Sequence, residues 1–167
     1  MRYTLEKQEM SQLENFTYEE ITIGQTASYS KQISEQDIQL FAAVSGDVNP
    51  VHLDEAFAAA TQFKGRIAHG MLTGALVSAA LAMELPGPGT IYLGQSLRFR
   101  LPVRIDDTIT IALEVTEKND RRRQLTLDCK AYNQHEKLVA SGSAEVMAPT
   151  EKVCIQRPSA PQAEIKA

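Results

Sequence analysis

Residues 69–85 read HGMLTGALVSAALAMEL, residues 86–89 read PGPG and residues 91–101 read IYLGQSLRFRL. The first stretch has no acidic or basic residue other than His69 before Glu84, and it is apolar nearly all round. A helix of that kind must be covered on most sides. The Pro-Gly pairs stop it sharply. In the third stretch Ile91, Leu93, Leu97, Phe99 and Leu101 alternate with Tyr92, Gly94, Ser96, Arg98 and Arg100. That is the period of a strand with one apolar face.

Downstream the same period returns three times. Ile109, Ile111, Leu113 and Val115 form one set, and Leu125, Leu127, Cys129 and Ala131 the next. Leu138, Ala140, Gly142, Ala144 and Val146 form the last. The breaks at 104–107, 117–122 and 133–136 are short and polar, which predicts antiparallel hairpins. Tyr92, Arg98, Arg100 and Glu114 fall on the outer face of this sheet.

Upstream, 24–33 reads as a weaker strand. Ser34 and Asp37 then form a capping-box pattern, Ile38, Phe41, Ala42 and Ser45 give one helical face, and Gly46 ends the helix. Residues 47–50 are expected to be a loop, because Pro50 disfavours a helical Asn49. A short Ala-rich helix over 54–61 and a turn at Gly65 follow. Helices first and strands after give an α+β class, with a curved antiparallel sheet wrapped around a long central helix.

The chain has 167 residues, 43% of them hydrophobic, with a net charge of −4. That suits one domain with a sizeable core, expected between Phe16 and Ala148. Residues 1–15 read as an N-terminal extension and 149–167, punctuated by proline, as a flexible tail. The charge supplies no field for nucleic acid. The uncharged run over 67–83 is short for a membrane span, so no membrane role is expected. Cys129 and Cys154 make neither a disulfide framework nor a metal-site spacing. The opening residues MRYTLEKQEMSQLEN lack an apolar run, and a cytoplasmic location is expected.

Two segments could carry chemistry. In Asp47-Val48-Asn49-Pro50-Val51-His52 a stiffened bend lets a carboxylate and an imidazole converge on one spot. Such a pair can move a proton each way near neutral pH. The competing reading makes Asp47 a helix cap and His52 a packed core histidine. In Ile67-Ala68-His69-Gly70-Met71-Leu72 a glycine opens a buried helix, where amide N–H groups lack internal partners. An oxygen gaining charge could be held there, or the glycine could serve packing alone. Ser78 lies two turns further along, where a hydroxyl commonly bonds back to a carbonyl of the preceding turn. His135 sits in a polar turn and reads as solvated, as does the run Arg121-Arg122-Arg123.

D-x-N-P-x-H, then A-H-G-M-L, then Y-L-G-Q-S-L-R-F, in this order, resemble the MaoC-like (R)-specific enoyl-CoA hydratases over about Ile21 to Val146. The resemblance implies a single hot-dog domain and a homodimer with sites at the subunit interface. It implies that Asp47 and His52 are catalytic. It assigns substrate binding or positioning to Asn49, the thioester carbonyl to the Gly70 amide, and a substrate-side place to Ser78. Leu81 is expected beside the acyl chain, although the small residues around it could equally serve helix–sheet packing. The reaction implied is syn addition of water to a trans-2-enoyl thioester, giving the (R)-3-hydroxyacyl thioester, or the reverse dehydration. No metal or redox cofactor is called for. Coenzyme A is the substrate's handle, and an acyl carrier protein is the other possible handle. A hot-dog acyl-CoA thioesterase and a non-catalytic acyl-CoA-binding or assembly subunit are the alternatives on the same scaffold.

Overall fold

The computed structural model describes residues 12–165. Helix α1, Glu35–Ser45, begins where the sequence places a cap: the Asp37 N–H donates to Ser34 Oγ at 3.1 Å and the Ser34 N–H to Asp37 Oδ2 at 2.8 Å. Gly46 ends the helix with a left-handed φ of 77°, its N–H bonded to Ala42 O. Helix α2 spans Pro50–Leu53 and helix α3 spans Glu55–Ala60. Pro50, expected in the loop, is the first residue of α2. Its fixed φ and missing N–H suit that position. Helix α4, Gly70–Met83, is the long central helix, with Leu72, Thr73, Leu76, Val77, Ala80 and Leu81 buried.

Strands β2 (Thr26–Gln32), β3 (Ile91–Phe99), β4 (Thr108–Asn119), β5 (Gln124–Tyr132) and β6 (Leu138–Met147) follow the short strand β1 (Gln12–Glu14) in chain order. They form one antiparallel sheet in the order β2-β4-β5-β6-β3. Its inner face carries Ile109, Ile111, Leu113, Val115, Leu125, Leu127, Ala144 and Val146, all buried in one cluster with the apolar side of α4. Each large aliphatic side chain removed from water there contributes about 1.5–3 kcal/mol.

Two expectations for the sheet fail in instructive ways. Residues 104–107 do not join a hairpin, since β3 pairs with β6 and β4 pairs with β2 and β5. The turn docks instead on the end of β2, through Asp106 N–H to Ile33 O at 2.7 Å and Ile33 N–H to Asp107 O at 2.9 Å. The even alternation of β3 is also broken. The register shifts between Tyr92 and Gly94, so Tyr92 lies opposite buried Val146, on the core side of the sheet, while remaining partly exposed at the edge. β3 is an edge strand, and Ile91, Leu93 and Phe99 are exposed, with Leu101 just beyond its end. Its contact with β6 is close: a Cβ on Gly142 would lie 1.9 Å from Ser96 O.

The two ends of the chain, read from sequence as an extension and a flexible tail, meet. β1 pairs with β7, Cys154–Gln156. Leu13 and Asn15 are buried, and Asn15 Nδ2 donates to Pro88 O at 3.0 Å and Glu151 O at 2.8 Å. This clasp lies over the turn that ends α4. Gly87 (φ 93°) is required beneath it, because a Cβ would meet Asn15 Cα and Glu14 O at 3.1 Å. The rest of the expected extension, residues 1–11, lies outside the described residues, as do residues 166–167 of the tail.

Candidate active site

The loop between α1 and α2 folds on its own short-range bonds. Asp47 N–H donates to Ser45 Oγ at 3.2 Å, and Asn49 N–H to Asp47 Oδ1 at 3.2 Å. Asn49 Oδ1 then accepts the Val51 N–H at 3.2 Å and caps α2. Asn49, expected near the substrate, spends its side-chain oxygen on holding the helix that carries His52. Asp47 is about half exposed, and its second oxygen, Oδ2, is left free to face His52.

His52 is buried on α2. Its Nδ1 lies 2.8 Å from Ile67 O. A carbonyl only accepts, so Nδ1 carries a hydrogen, and in the neutral ring Nε2 is the atom with the lone pair. Nε2 stands 3.8 Å from Asp47 Oδ2. That is too long for a direct hydrogen bond but allows one water about 2.8 Å from each atom. A lone-pair nitrogen and a carboxylate oxygen sharing one water can take a proton from it and return one.

His69, at the N-cap of α4, lies below this pair. The His52 and His69 rings are stacked with centroids 3.8 Å apart, and Phe41 tilts against His69 at 5.0 Å. Asp47, His52 and His69 bring three potential metal donors within 4.8 Å of one another. His69 Nε2, however, is engaged by Asp47 O at 2.9 Å, and its Nδ1 is sealed from solvent. The trio therefore suits a proton-handling pair on a supporting ring better than a metal centre.

Gly70 opens α4 beside His69. A Cβ there would lie 2.9 Å from the tip of the half-exposed Phe99 ring, which would have to shift to admit it. As the first residue of the helix, Gly70 also has an amide without an intrahelical acceptor. Next to it is a cavity of about 290 Å³ with Phe63, Gly70, Thr73, Phe99 and Leu101 on its walls. A larger polar depression of about 590 Å³ lies at the β4–β5 hairpin, among Lys118, Arg122 and Glu145, and has none of these residues.

The structure thus brings Asp47, Asn49, His52 and Gly70 to one end of α4. It does not bring Ser78 or Leu81 there, since they lie about 12 Å and about 16 Å along the helix from Gly70. Ser78 is half-buried, and its hydroxyl makes no bond back to the preceding turn. Leu81 is fully buried in the core cluster. His69 is the residue whose part the sequence does not reveal. The available signal is a ring at an N-cap, a position where Ser, Thr, Asp or Asn usually supplies the capping oxygen.

The chain matches the MaoC like domain over residues 19–136. It is similar to the (R)-specific enoyl-CoA hydratase of Rhodospirillum rubrum, 48% identical over 134 residues, covering 79% of this chain and 91% of that protein. It is also similar to the 3-hydroxybutyryl-CoA dehydratase of Methylorubrum extorquens, 44% identical over 79% of this chain and 83% of that protein. Among solved structures it resembles an R-hydratase from Pseudomonas aeruginosa, with a TM-score of 0.88 and 54% identity over 93% of this chain and all (100%) of that one. The (R)-hydratase from A. caviae superposes with a TM-score of 0.75 and 44% identity, over 77% of this chain and 98% of that one.

Proposed function

The chain belongs to the MaoC-like domain family, and we infer from that membership and from the Asp47–His52 pair that it is an (R)-specific enoyl-CoA hydratase. Its α+β architecture, a long helix wrapped by a five-stranded antiparallel sheet, is the hot-dog fold. The reaction is hydration of a trans-2-enoyl-CoA to the (R)-3-hydroxyacyl-CoA, and dehydration in reverse.

The observation that carries the mechanism is the 3.8 Å gap between Asp47 Oδ2 and His52 Nε2. We assign to the pair a water held between them. As the water oxygen bonds to C3, the pair takes its proton, and charge moves through the conjugated system to the thioester oxygen. The Gly70 N–H, at the positive end of α4, is the donor for that oxygen. A proton then passes from the pair to C2, on the face that received the water. With Nδ1–H held by the Ile67 carbonyl, Nε2 is the atom of His52 that takes up and returns the proton. In this reading the residues need no metal or redox cofactor, and coenzyme A is the handle of the substrate. The acyl chain is assigned to the side of α4 that leads past Ser78 towards Leu81.

A second copy of the chain is part of the proposal. β3 leaves one edge unpaired, with Ile91, Leu93 and Phe99 exposed, and Met71 of α4 is exposed as well. An apolar strand edge of this length invites pairing, and closed two-fold dimers are the commonest solution. Sedimentation at micromolar concentration should give twice the 18.4 kDa chain mass, whereas an active monomer would refute it. Among the described residues no helix is long and apolar enough to cross a membrane. We assign the protein to the cytoplasm, where two free cysteines stay reduced.

Crotonyl-CoA tests the function. Loss of enoyl absorbance with formation of the (R)-3-hydroxy product, and no free thiol, is expected. Release of thiol without hydration would instead favour the thioesterase alternative.

A further inference from the structure

One buried ring touches both members of the Asp47–His52 pair. His69 is 2% exposed and makes no capping bond to its own helix. Its Nε2 lies 2.9 Å from the Asp47 carbonyl oxygen. That oxygen only accepts, so Nε2 carries the hydrogen and Nδ1 holds a lone pair. Nδ1 is buried and has no partner. A hydrogen placed on it would be a buried donor with nothing to meet, which proteins avoid. The ring is therefore locked in one tautomer, and its orientation is fixed by Phe41 on one side and His52 on the other.

The bond to Asp47 matters because of where Asp47 sits. Residues 43–50 are exposed. The other hydrogen bonds of Asp47, to Ser45 and Asn49, stay within its own loop. Among the described residues, the His69 Nε2–H to Asp47 O bond is the one that ties Asp47 to the buried body of the protein. The segment holding this ring also holds His52, since Ile67 O takes the edge of the His52 ring while His69 supports its face.

We propose that His69 is a positioning residue for the hydration reaction: by donating to the Asp47 carbonyl and stacking beneath His52, it sets the gap in which the water is held. The proposal rests on the hydratase reading above. Misplacing a reacting group by about 1 Å can cost about 100-fold in rate, so a ring that fixes both members of the pair has leverage over the reaction.

Two variants separate its two contacts. His69→Phe keeps a flat ring beneath His52 and removes the donor. His69→Gln places a donor near the former Nε2 and removes the ring. With crotonyl-CoA, His69→Phe should lower kcat by about 10- to 100-fold and leave KM within about twofold, because uniform substrate binding is untouched. His69→Gln should be faster than His69→Phe. A folded His69→Phe protein with wild-type kcat, or a His69→Gln protein no faster than it, overturns the proposal. Should neither variant fold, nitrogen NMR of the wild-type histidines decides: Nε2–H on His69 supports the proposal and Nδ1–H overturns it. The NMR result is independent of activity. A wild-type protein that shows the expected tautomer but does not hydrate crotonyl-CoA counts against the hydratase reading, and with it against His69 as a positioning residue for that reaction.

Discussion

Asp47 Oδ2 and His52 Nε2 face each other across 3.8 Å, each with its other polar atom already committed, Asp47 Oδ1 to the Asn49 N–H and His52 Nδ1 to Ile67 O. The arrangement leaves one acceptor on each side chain for a shared water. Asp47→Ala removes a half-exposed side chain and should leave the fold intact. His52→Asn keeps a donor for Ile67 O and avoids leaving a buried carbonyl unpaired, which would cost about 1–3 kcal/mol. Each variant should lose about 10²- to 10⁴-fold in kcat on crotonyl-CoA, with circular dichroism unchanged. Near wild-type turnover in either would remove the pair from the mechanism.

Asn49 caps the helix that carries His52, and the proposed mechanism has it act through that helix. Asn49→Ala should cost about 1 kcal/mol, the usual worth of an N-cap, and lower kcat because α2 carries His52. Asn49→Ser restores a capping oxygen and should recover both melting temperature and activity. If Asn49→Ser recovers stability but not activity, Asn49 contacts substrate as the sequence reading expected.

Much of this architecture is legible from residue order. The all-round apolar character of 70–83 calls for a wrapped helix, and the alternation in 109–115 and 125–131 marks strands whose inner residues are all buried. Strand order is another matter. That β3 pairs with β6, with the 104–107 turn docked on β2, depends on contacts across the whole sheet, and the period of two carries no information about neighbours. The shift at Leu93 turns Tyr92 inward against the simple alternation. The meeting of residues 12–14 with 154–156 joins two polar segments that lack any periodic signal. In the site, the capping role of Asn49 emerges only in the structure, while the bend at Asp47–His52 is readable because Pro50 acts locally. His69 is not, because its partner is a backbone carbonyl 22 positions away.

Leu81 tests the assignment of the acyl chain. Leu81→Ala should cost about 2–5 kcal/mol, as for other buried leucines, and should shift the preference towards longer enoyl-CoA substrates if the chain ends there. Rates on substrates of four to eight carbons, measured below the variant's melting temperature, report this. An unchanged profile in a folded variant would mean that Leu81 serves packing alone.

The cysteines give a pH-dependent check of the core. Burial, reinforced by the nearby Asp128 carboxylate, pushes the Cys129 thiol up to about 11. In the folded protein it therefore stays protonated at pH 8, while Cys154 is exposed. A disulfide reagent at pH 8 should modify one thiol per chain, and the second only on unfolding. Because the thiol ionises more readily in the unfolded chain, its contribution to stability is complete below about 9 and is lost as pH rises towards about 11. Cys129→Ala should remove that part of the alkaline destabilisation. Rapid modification of both thiols at pH 8 would contradict the buried placement.

Hydration in heavy water tests the central claim, that one Asp47–His52 pair both activates the water that becomes the hydroxyl and delivers the proton to C2. In the proposed mechanism one pair serves both steps from one side of the enoyl thioester, so the oxygen at C3 and the deuteron at C2 enter from the same face. Proton NMR of the product from crotonyl-CoA should show a single diastereomer with one deuterium at C2, syn to the new hydroxyl, and R configuration at C3. Anti addition, a mixture of diastereomers or the S product would contradict the account.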